Sequence, residues 1–177
     1  MNTTLFQQFD AIMTHCFQVF QEKQADYGPT WLLYRESSLV DEIWRKGKRI
    51  RTLEEQDCAS CIPEGCDTEY VGIINYCFMY LMRENPALPT VEESVANLTS
   101  IDGVEQQTLF DAYHATEARV RELLYRKNAD YGDAWKSMSL HSMTDQVLIR
   151  IYRIKTILGH DGHCAVSEGV AAQLEDV

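Results

Sequence analysis

The apolar residues near the start of the chain recur at the spacing of a helix. They occupy one face between residues 5 and 23, as Leu5, Phe6, Phe9, Ile12, Met13, Cys16, Phe17, Val19 and Phe20. The pattern predicts a helix that ends near Tyr27, because Gly28 can take a left-handed cap and Pro29 cannot continue a helix.

Two more helices are predicted before residue 85. Ser38 and Asp41 have the spacing of a serine N-cap followed by an acid, which predicts that a helix begins at Ser38. The inward positions of this helix are Val40, Ile43, Gly47, Ile50 and Leu53. The stretch from Glu69 to Met82 is apolar on nearly every side, and this indicates a buried central helix.

A ten-residue stretch at 22–31 occurs again at 126–135, and both copies contain K-x-A-D-Y-G-x-x-W. The spacing of 104 residues holds without a gap beyond this motif, and 11 of the 33 positions in 22–54 are identical in 126–158. The sequence therefore predicts a tandem duplication. We expect a first helical unit at 1–84, a linker at 85–103 and a second helical unit at 104–177.

In the second unit, the repeat predicts a helix from about Val104 to Asn128 and another from Ser142 to about Leu158. Val177 is the counterpart of Ile73, so most of the central helix has no counterpart here. We expect that a partner chain or the first unit's helix covers this face, or that the C-terminus is a truncation; a partner chain would make a homodimer. No useful strand-like alternation occurs, so the predicted fold is all-α, with two helical units around a shared core.

The chain is acidic, with a formal net charge of −11. This charge argues against a nucleic-acid polymer as partner, because phosphate backbones require a surface rich in lysine and arginine. A single nucleotide is compatible with it, since a local basic pocket or Mg²⁺ can hold the phosphates. The N-terminus lacks the pattern of a signal peptide, and no stretch is long and apolar enough for a membrane helix. We therefore expect a cytoplasmic protein whose cysteines are thiols or metal ligands.

Several motifs follow one another along the chain. The repeated K-x-A-D-Y-G-x-x-W is followed by S-x-x-D and R-I, and then by E-G-x-x-x-E-Y-V-G-I-I-N-Y at residues 64–76. Together they resemble the nucleotide modification associated domain 1 family, whose two-copy bacterial members are similar to nearly the whole chain. The resemblance implies a role in the metabolism of nucleotides or modified nucleotides.

The central helix is also similar to that of the MazG-like all-α nucleoside triphosphate pyrophosphohydrolases, in which acidic residues on two helices hold Mg²⁺ at a triphosphate. That similarity implies Mg²⁺-dependent phosphohydrolysis. This chain departs from the pattern, because Glu69-x-x-Gly72 has glycine where an aspartate is expected. Gln173-x-x-Asp176 keeps the aspartate and loses the glutamate, so the activity is left open.

Four repeated aspartates are candidate ligands of Mg²⁺: Asp26, Asp41, Asp130 and Asp145. Hydrated Mg²⁺ prefers one or two carboxylates together with substrate phosphates. The alternative for Asp26 and Asp130 is turn chemistry, since an aspartate before Tyr-Gly can bond its own backbone. The alternative for Asp41 and Asp145 is helix capping, which stabilises by about 0.5–1 kcal/mol.

Candidate substrate-binding residues accompany them. Arg49 and Arg153, together with Lys46 and Arg150, could meet phosphates or form a solvated helix face. Aromatic rings that could stack on a base, or belong to the core, are Trp31, Trp135, Tyr27 and Tyr131. Asn75 lies in an apolar helix, so it either bonds another helix or faces a pocket. Glu64 and Glu168 are candidate catalytic bases before the central helix, or plain acids at its positive end.

The cysteine- and histidine-bearing loops suggest a separate hypothesis. Cys58 and Cys61 lie in a loop whose counterpart in the second unit carries His160 and His163. Two such loops could close one tetrahedral zinc site if the duplication brings them together. The alternative is two polar loops with incidental thiols.

These patterns predict binding of a nucleotide or modified nucleotide, with Mg²⁺-dependent phosphohydrolysis as the reaction that the resemblance implies. The alternative is a non-catalytic helical scaffold or interaction protein, with or without a stabilising zinc ion. The two readings differ in whether the paired acids converge on one cleft.

Overall fold

The computed structural model describes residues 3–56, 65–160, 162–163 and 169–177, which form α-helices and two short 3-10 turns without a strand. The helices are α1 (Thr3–Tyr27), α2 (Glu36–Glu55), α3 (Cys66–Met82), α4 (Val91–Ala96), α5 (Thr99–Asp102), α6 (Gln106–Tyr131), α7 (Leu140–Gly159) and α8 (Val170–Glu175). The prediction of an all-α fold is confirmed. None of the described helices is long and apolar enough to cross a membrane.

The helices repeat with the spacing of the sequence motif. α2 and α7 begin and end 104 residues apart, as do the 3-10 turns Thr30–Leu33 and Ala134–Ser137. The turn glycines Gly28 and Gly132 have φ angles of 63° and 58°, a region that glycine enters without the penalty of a side chain. The tandem duplication is therefore a property of the fold as well as of the sequence.

Two predicted helix starts are wrong by two residues. α2 begins at Glu36 behind an extended Arg35, so Ser38 lies inside the first turn and caps nothing. α7 begins at Leu140, because the Ser139 hydroxyl accepts a hydrogen bond from the backbone N–H of Ser142. The capping role considered for Asp41 is also wrong, since this residue lies beyond the first turn of α2.

The segment predicted as a linker is packed rather than extended. It contains α4, where the Thr90 hydroxyl and the Glu93 carboxylate form a reciprocal capping box, and then α5. Leu88 and Ile101 are buried, and α4 contacts the 3-10 turn of the first unit. This segment therefore closes one side of the first unit.

The central helix α3 belongs to both parts of the core. With α1, α6 and the first 3-10 turn it encloses an aromatic cluster that includes Phe20, Phe78 and Tyr113. With α2, α7 and α8 it encloses an aliphatic cluster that includes Ile43, Ile73 and Ile151. The first unit's central helix therefore covers much of the second unit, which is one of the alternatives that the sequence analysis left open.

The pairing of α2 with α7 is nearly symmetric. Lys155 forms an ion pair with Asp41, and at the equivalent positions Arg51 lies 3.4 Å from Asp145. These reciprocal ion pairs require the two helices to run antiparallel about a pseudo-twofold axis. Gly47 lies at their crossing, where an added Cβ would be 3.0 Å from a methyl carbon of Leu148. The absence of a side chain allows this close approach.

The turn after the first long helix differs in exposure between the units. Trp31 is 3% exposed, because Phe78, Met79 and Met82 of α3 pack in the same cluster. Arg83 also donates to the Trp31 carbonyl at 2.9 Å. The equivalent Trp135 is 41% exposed.

Candidate functional site

The four candidate aspartates do not converge in the structure. Asp41 and Asp145 take part in the ion pairs between α2 and α7, whereas Asp26 and Asp130 lie exposed at the ends of α1 and α6. Within the described residues, no three His, Cys, Asp or Glu side chains group as metal ligands. Binding of Mg²⁺ by one or two of these carboxylates together with substrate phosphates stays a prediction.

The candidate stacking residues differ in accessibility. The buried Trp31 has no surface for a base, and its indole N–H has no hydrogen-bond partner. Tyr27 and Tyr131 are 66% and 74% exposed, and Trp135 is partly exposed beside Lys136. None of these rings lines the cleft described below.

Asn75 joins three helices. Its side-chain Nδ2 donates to the Cys16 carbonyl at 3.0 Å, and its Oδ1 accepts from the Tyr113 hydroxyl at 2.9 Å. The side-chain amide of Asn75 on α3 therefore bonds to α1 and to α6. This is the helix-bonding alternative considered for Asn75, although the residue also borders a cleft.

The two candidate arginines have different surroundings. Arg49 binds the carboxylate of Glu69 on α3. Arg153 is exposed in a shallow groove between α2 and α7, which also contains Lys48 and the rings of Trp44 and Tyr152. The repeated arginine therefore faces the central helix in one unit and the outer groove in the other.

The remaining candidates cannot be placed together. Glu64, Glu168, Cys58 and Cys61 lie outside the described residues, so the predicted catalytic bases and half of the zinc site remain predictions. His160 and His163 are exposed after the end of α7.

A cleft of about 450 Å³ opens between α1, α2 and the first half of α3, and we call it the first-unit cleft. Its lining residues are His15, Val19, Lys23, Lys46, Asp67, Thr68, Glu69, Val71, Gly72, Asn75, Tyr76 and Met79. Its volume lies within the range of small-molecule sites, about 300–1,000 Å³. Lysines, carboxylates, a tyrosine and apolar side chains thus surround one space.

Two cations in this cleft share one carboxylate. Glu69 is 3% exposed and binds both Lys46, at 3.1 Å, and Arg49. Lys23 is exposed at the rim and has no ion pair among the described residues. Burial, followed by the nearby charge of Glu42, raises the pKa of Tyr76 to about 12, so its hydroxyl stays neutral at physiological pH.

The second unit has a homologous cleft of about 430 Å³, which we call the second-unit cleft. Lys127 and Arg150 occupy the positions of Lys23 and Lys46, and both bind the carboxylate of Asp176. Asp176 is the counterpart of Gly72. Both of these cations are therefore paired with a carboxylate of the chain itself.

Sequence analysis identified Arg49, Lys46 and Arg150 as possible phosphate contacts and noticed the difference between Gly72 and Asp176, but it did not single out Lys23 or Lys127. The signal was present in the duplication, because a cation occurs at both equivalent positions of each pair. Only the structure places these cations beside residue 72 or its counterpart.

The fold and clefts define an all-α protein of two homologous helical units, each with a cation-lined cleft where its central helix begins. The family model of nucleotide modification associated domain 1 matches residues 23–83 and 127–177, which contain the lysine of each repeated motif and the start of each central helix. The chain belongs to this family, in a tandem two-copy arrangement. Comparison with curated proteins and with solved structures finds no match.

Proposed function

We propose that the protein binds a nucleotide or a modified nucleotide in the first-unit cleft. The observation that carries the proposal is Lys23, an exposed cation without a carboxylate partner in the described chain, beside two cations that share Glu69. A phosphate group supplies the negatively charged partner that Lys23 lacks among the described residues.

The other walls of the cleft suit the rest of a nucleotide. Val19 and Met79 give apolar surface, and the ring of Tyr76 gives an aromatic one beside a neutral hydroxyl. Ligand sites combine such apolar walls with a few polar groups that orient the ligand. The family description, which links the domain to nucleotide modification, supports the same class of ligand.

The proposal includes Mg²⁺ only as an ion that arrives on the phosphates of a di- or triphosphate. Among the described acids of the cleft, Glu69 is bound to two cations, while Asp67 is exposed at the mouth without an ion pair. Mg²⁺ commonly keeps several waters and one or two carboxylates in such sites. Hydrolysis of the bound phosphate is the reaction that we propose to test.

A thermal-shift screen tests binding. It covers nucleoside mono-, di- and triphosphates with and without Mg²⁺, and an added arm with a strong chelator tests for structural zinc. A ligand at 100 times its Kd stabilises by about 2.7 kcal/mol, which is roughly 5–10 °C for a chain of this size. Triphosphates that bind are then incubated with Mg²⁺, and released pyrophosphate or phosphate is measured.

Two variants of equal charge locate the site. Lys23→Ala should remove most of the shift, whereas Lys48→Ala removes an equally exposed lysine from the groove between α2 and α7 and should leave it unchanged. A panel without any shift, or equal losses in both variants, would contradict binding in the first-unit cleft.

A second candidate function is protein interaction. Tyr131, Trp135, Met138 and Leu140 are exposed around the turn of the second unit, and we propose that this face forms a homodimer. Light scattering at several concentrations tests this, and a monomer throughout would contradict it. We also propose a cytoplasmic location, which the free thiols of Cys16 and Cys77 support.

A further inference from the structure

The two clefts differ in the charged group that lies at residue 72 of the first unit and at its counterpart, residue 176, of the second. In the second-unit cleft, Asp176 places a carboxylate there, and in the first-unit cleft the residue is Gly72. The end of the Lys46 side chain lies over Gly72, so a Cβ at residue 72 would be 2.7 Å from the Lys46 Nζ. An ammonium group therefore occupies the place where the second unit has an acidic side chain.

The acidic residue lies about one helical turn later in the second unit than in the first. Glu69 is the acid of the first unit, and its counterpart in the second unit is the neutral Gln173. In the second unit the acid is Asp176, three residues later, and it binds both Lys127 and Arg150. Each unit thus has one carboxylate at these two positions, and the position decides which cations it neutralises.

In the first unit, this shift leaves Lys23 without the partner that Lys127 has. Lys46 binds Glu69 instead, and Glu69 also holds Arg49. Among the described residues that line this cleft, Lys23 is the lysine without an ion pair. Gly72 has no side chain of its own, and the end of the flexible Lys46 side chain lies over it in the same cleft as Lys23.

Building on the nucleotide binding proposed above, we infer that a phosphate group of the ligand binds beside Gly72, between Lys23 and Lys46. The phosphate takes the part that the Asp176 carboxylate plays in the second unit. Lysine ammonium groups bind phosphate as point charges with three donors each. Because Asp176 already pairs with both equivalent cations, the second-unit cleft takes no phosphate, and each chain binds one ligand.

Two double variants test this inference without changing the net charge. Glu69→Gln with Gly72→Asp gives the first unit the residues of the second, and Gln173→Glu with Asp176→Gly does the reverse. Equilibrium dialysis measures affinity and stoichiometry with two probes, inorganic phosphate and a set of four nucleoside 5′-monophosphates. Circular dichroism and the thermal midpoint establish that each variant is folded.

The unaltered chain should bind one equivalent. The first double variant should lose at least about tenfold in affinity, because like charges in contact cost several kcal/mol and tenfold corresponds to about 1.4 kcal/mol. The second double variant should bind a second equivalent. If the first variant does not fold, the stoichiometry of the second variant still decides the outcome.

The results separate this inference from the proposed function. If nucleotides bind with unchanged affinity to the first double variant, or if the unaltered chain binds two equivalents, the assignment beside Gly72 is wrong while nucleotide binding stands. If inorganic phosphate binds once and depends on residues 69 and 72 but no nucleotide binds, the phosphate site stands and the proposed function is wrong. If neither probe binds, both are wrong.

Discussion

Replacing Asn75 with alanine should destabilise the protein strongly, because this side chain joins α1, α3 and α6 inside the core. The change removes two buried hydrogen bonds, to the Cys16 carbonyl and from the Tyr113 hydroxyl. Each contributes about 1 kcal/mol, and a hydroxyl left buried without an acceptor costs about 1–3 kcal/mol more. Tyr113 is fully buried, so no water can replace the lost acceptor without a rearrangement. We expect a loss of about 3–5 kcal/mol in the free energy of unfolding.

A double-mutant cycle measured by urea denaturation tests the geometry. Tyr113→Phe should cost about 1–2 kcal/mol, since it leaves the Asn75 Oδ1 without its donor. The two changes together should cost less than their sum, with a coupling of about 1–2 kcal/mol. Tyr125→Phe, which alters an exposed tyrosine of the same helix, should change stability by less than about 0.5 kcal/mol. Additive costs within about 0.3 kcal/mol would refute the hydrogen bond between the units.

Three further changes test the packing and the electrostatics. Gly47→Val should lower the free energy of unfolding by about 1–3 kcal/mol through overpacking at the helix crossing, and unchanged stability in urea would contradict that crossing. Asp41→Asn should lower the free energy of unfolding by less than about 1 kcal/mol, because the ion pair between Asp41 and Lys155 is exposed. The loss should disappear in 1 M salt, which screens exposed ion pairs, and a loss that does not depend on salt would contradict this role. Burial raises the thiol pKa of Cys16 to about 11 and that of Cys77 to about 12, whereas the unfolded thiols ionise near pH 9. Stability contributed by the neutral thiols is therefore complete below pH 9 and should fall as the pH rises towards 11, by about 1.4 kcal/mol per pH unit for each; Cys77→Ala should reduce this slope in denaturation curves recorded across that range.

Much of the fold could be predicted from the sequence, because its strongest signals are local. The apolar stripe and the pair Gly28-Pro29 predict where α1 ends, and the structure has that end at Tyr27. Helix starts were less predictable, since several polar residues compete for the cap. Ser38 has the right spacing to cap α2, yet the helix begins two residues earlier behind Arg35, whose side chain makes no capping hydrogen bond.

The candidate site was less predictable because its contacts join residues far apart in the chain. Lys46 reaches Glu69 across 23 positions, and Lys127 reaches Asp176 across 49. The change from Gly72 to Asp176 is visible in the sequence, where it suggests the loss of a metal motif. In the structure the same change moves a carboxylate from one group of cations to another. No local pattern reports that exchange, since it depends on the packing of three helices.

The reciprocal ion pairs between α2 and α7 suggest how the two halves of the chain could come to differ during evolution. An interface that uses the same positions twice about a twofold axis is the arrangement of a symmetric dimer of identical subunits. In a dimer encoded by one gene, any substitution enters both subunits at once. Once two copies are joined in a single gene, a mutation can enter one half and spare the other. Fusion therefore permits one half to carry Gly72 while the other carries Asp176, a combination that identical subunits cannot encode.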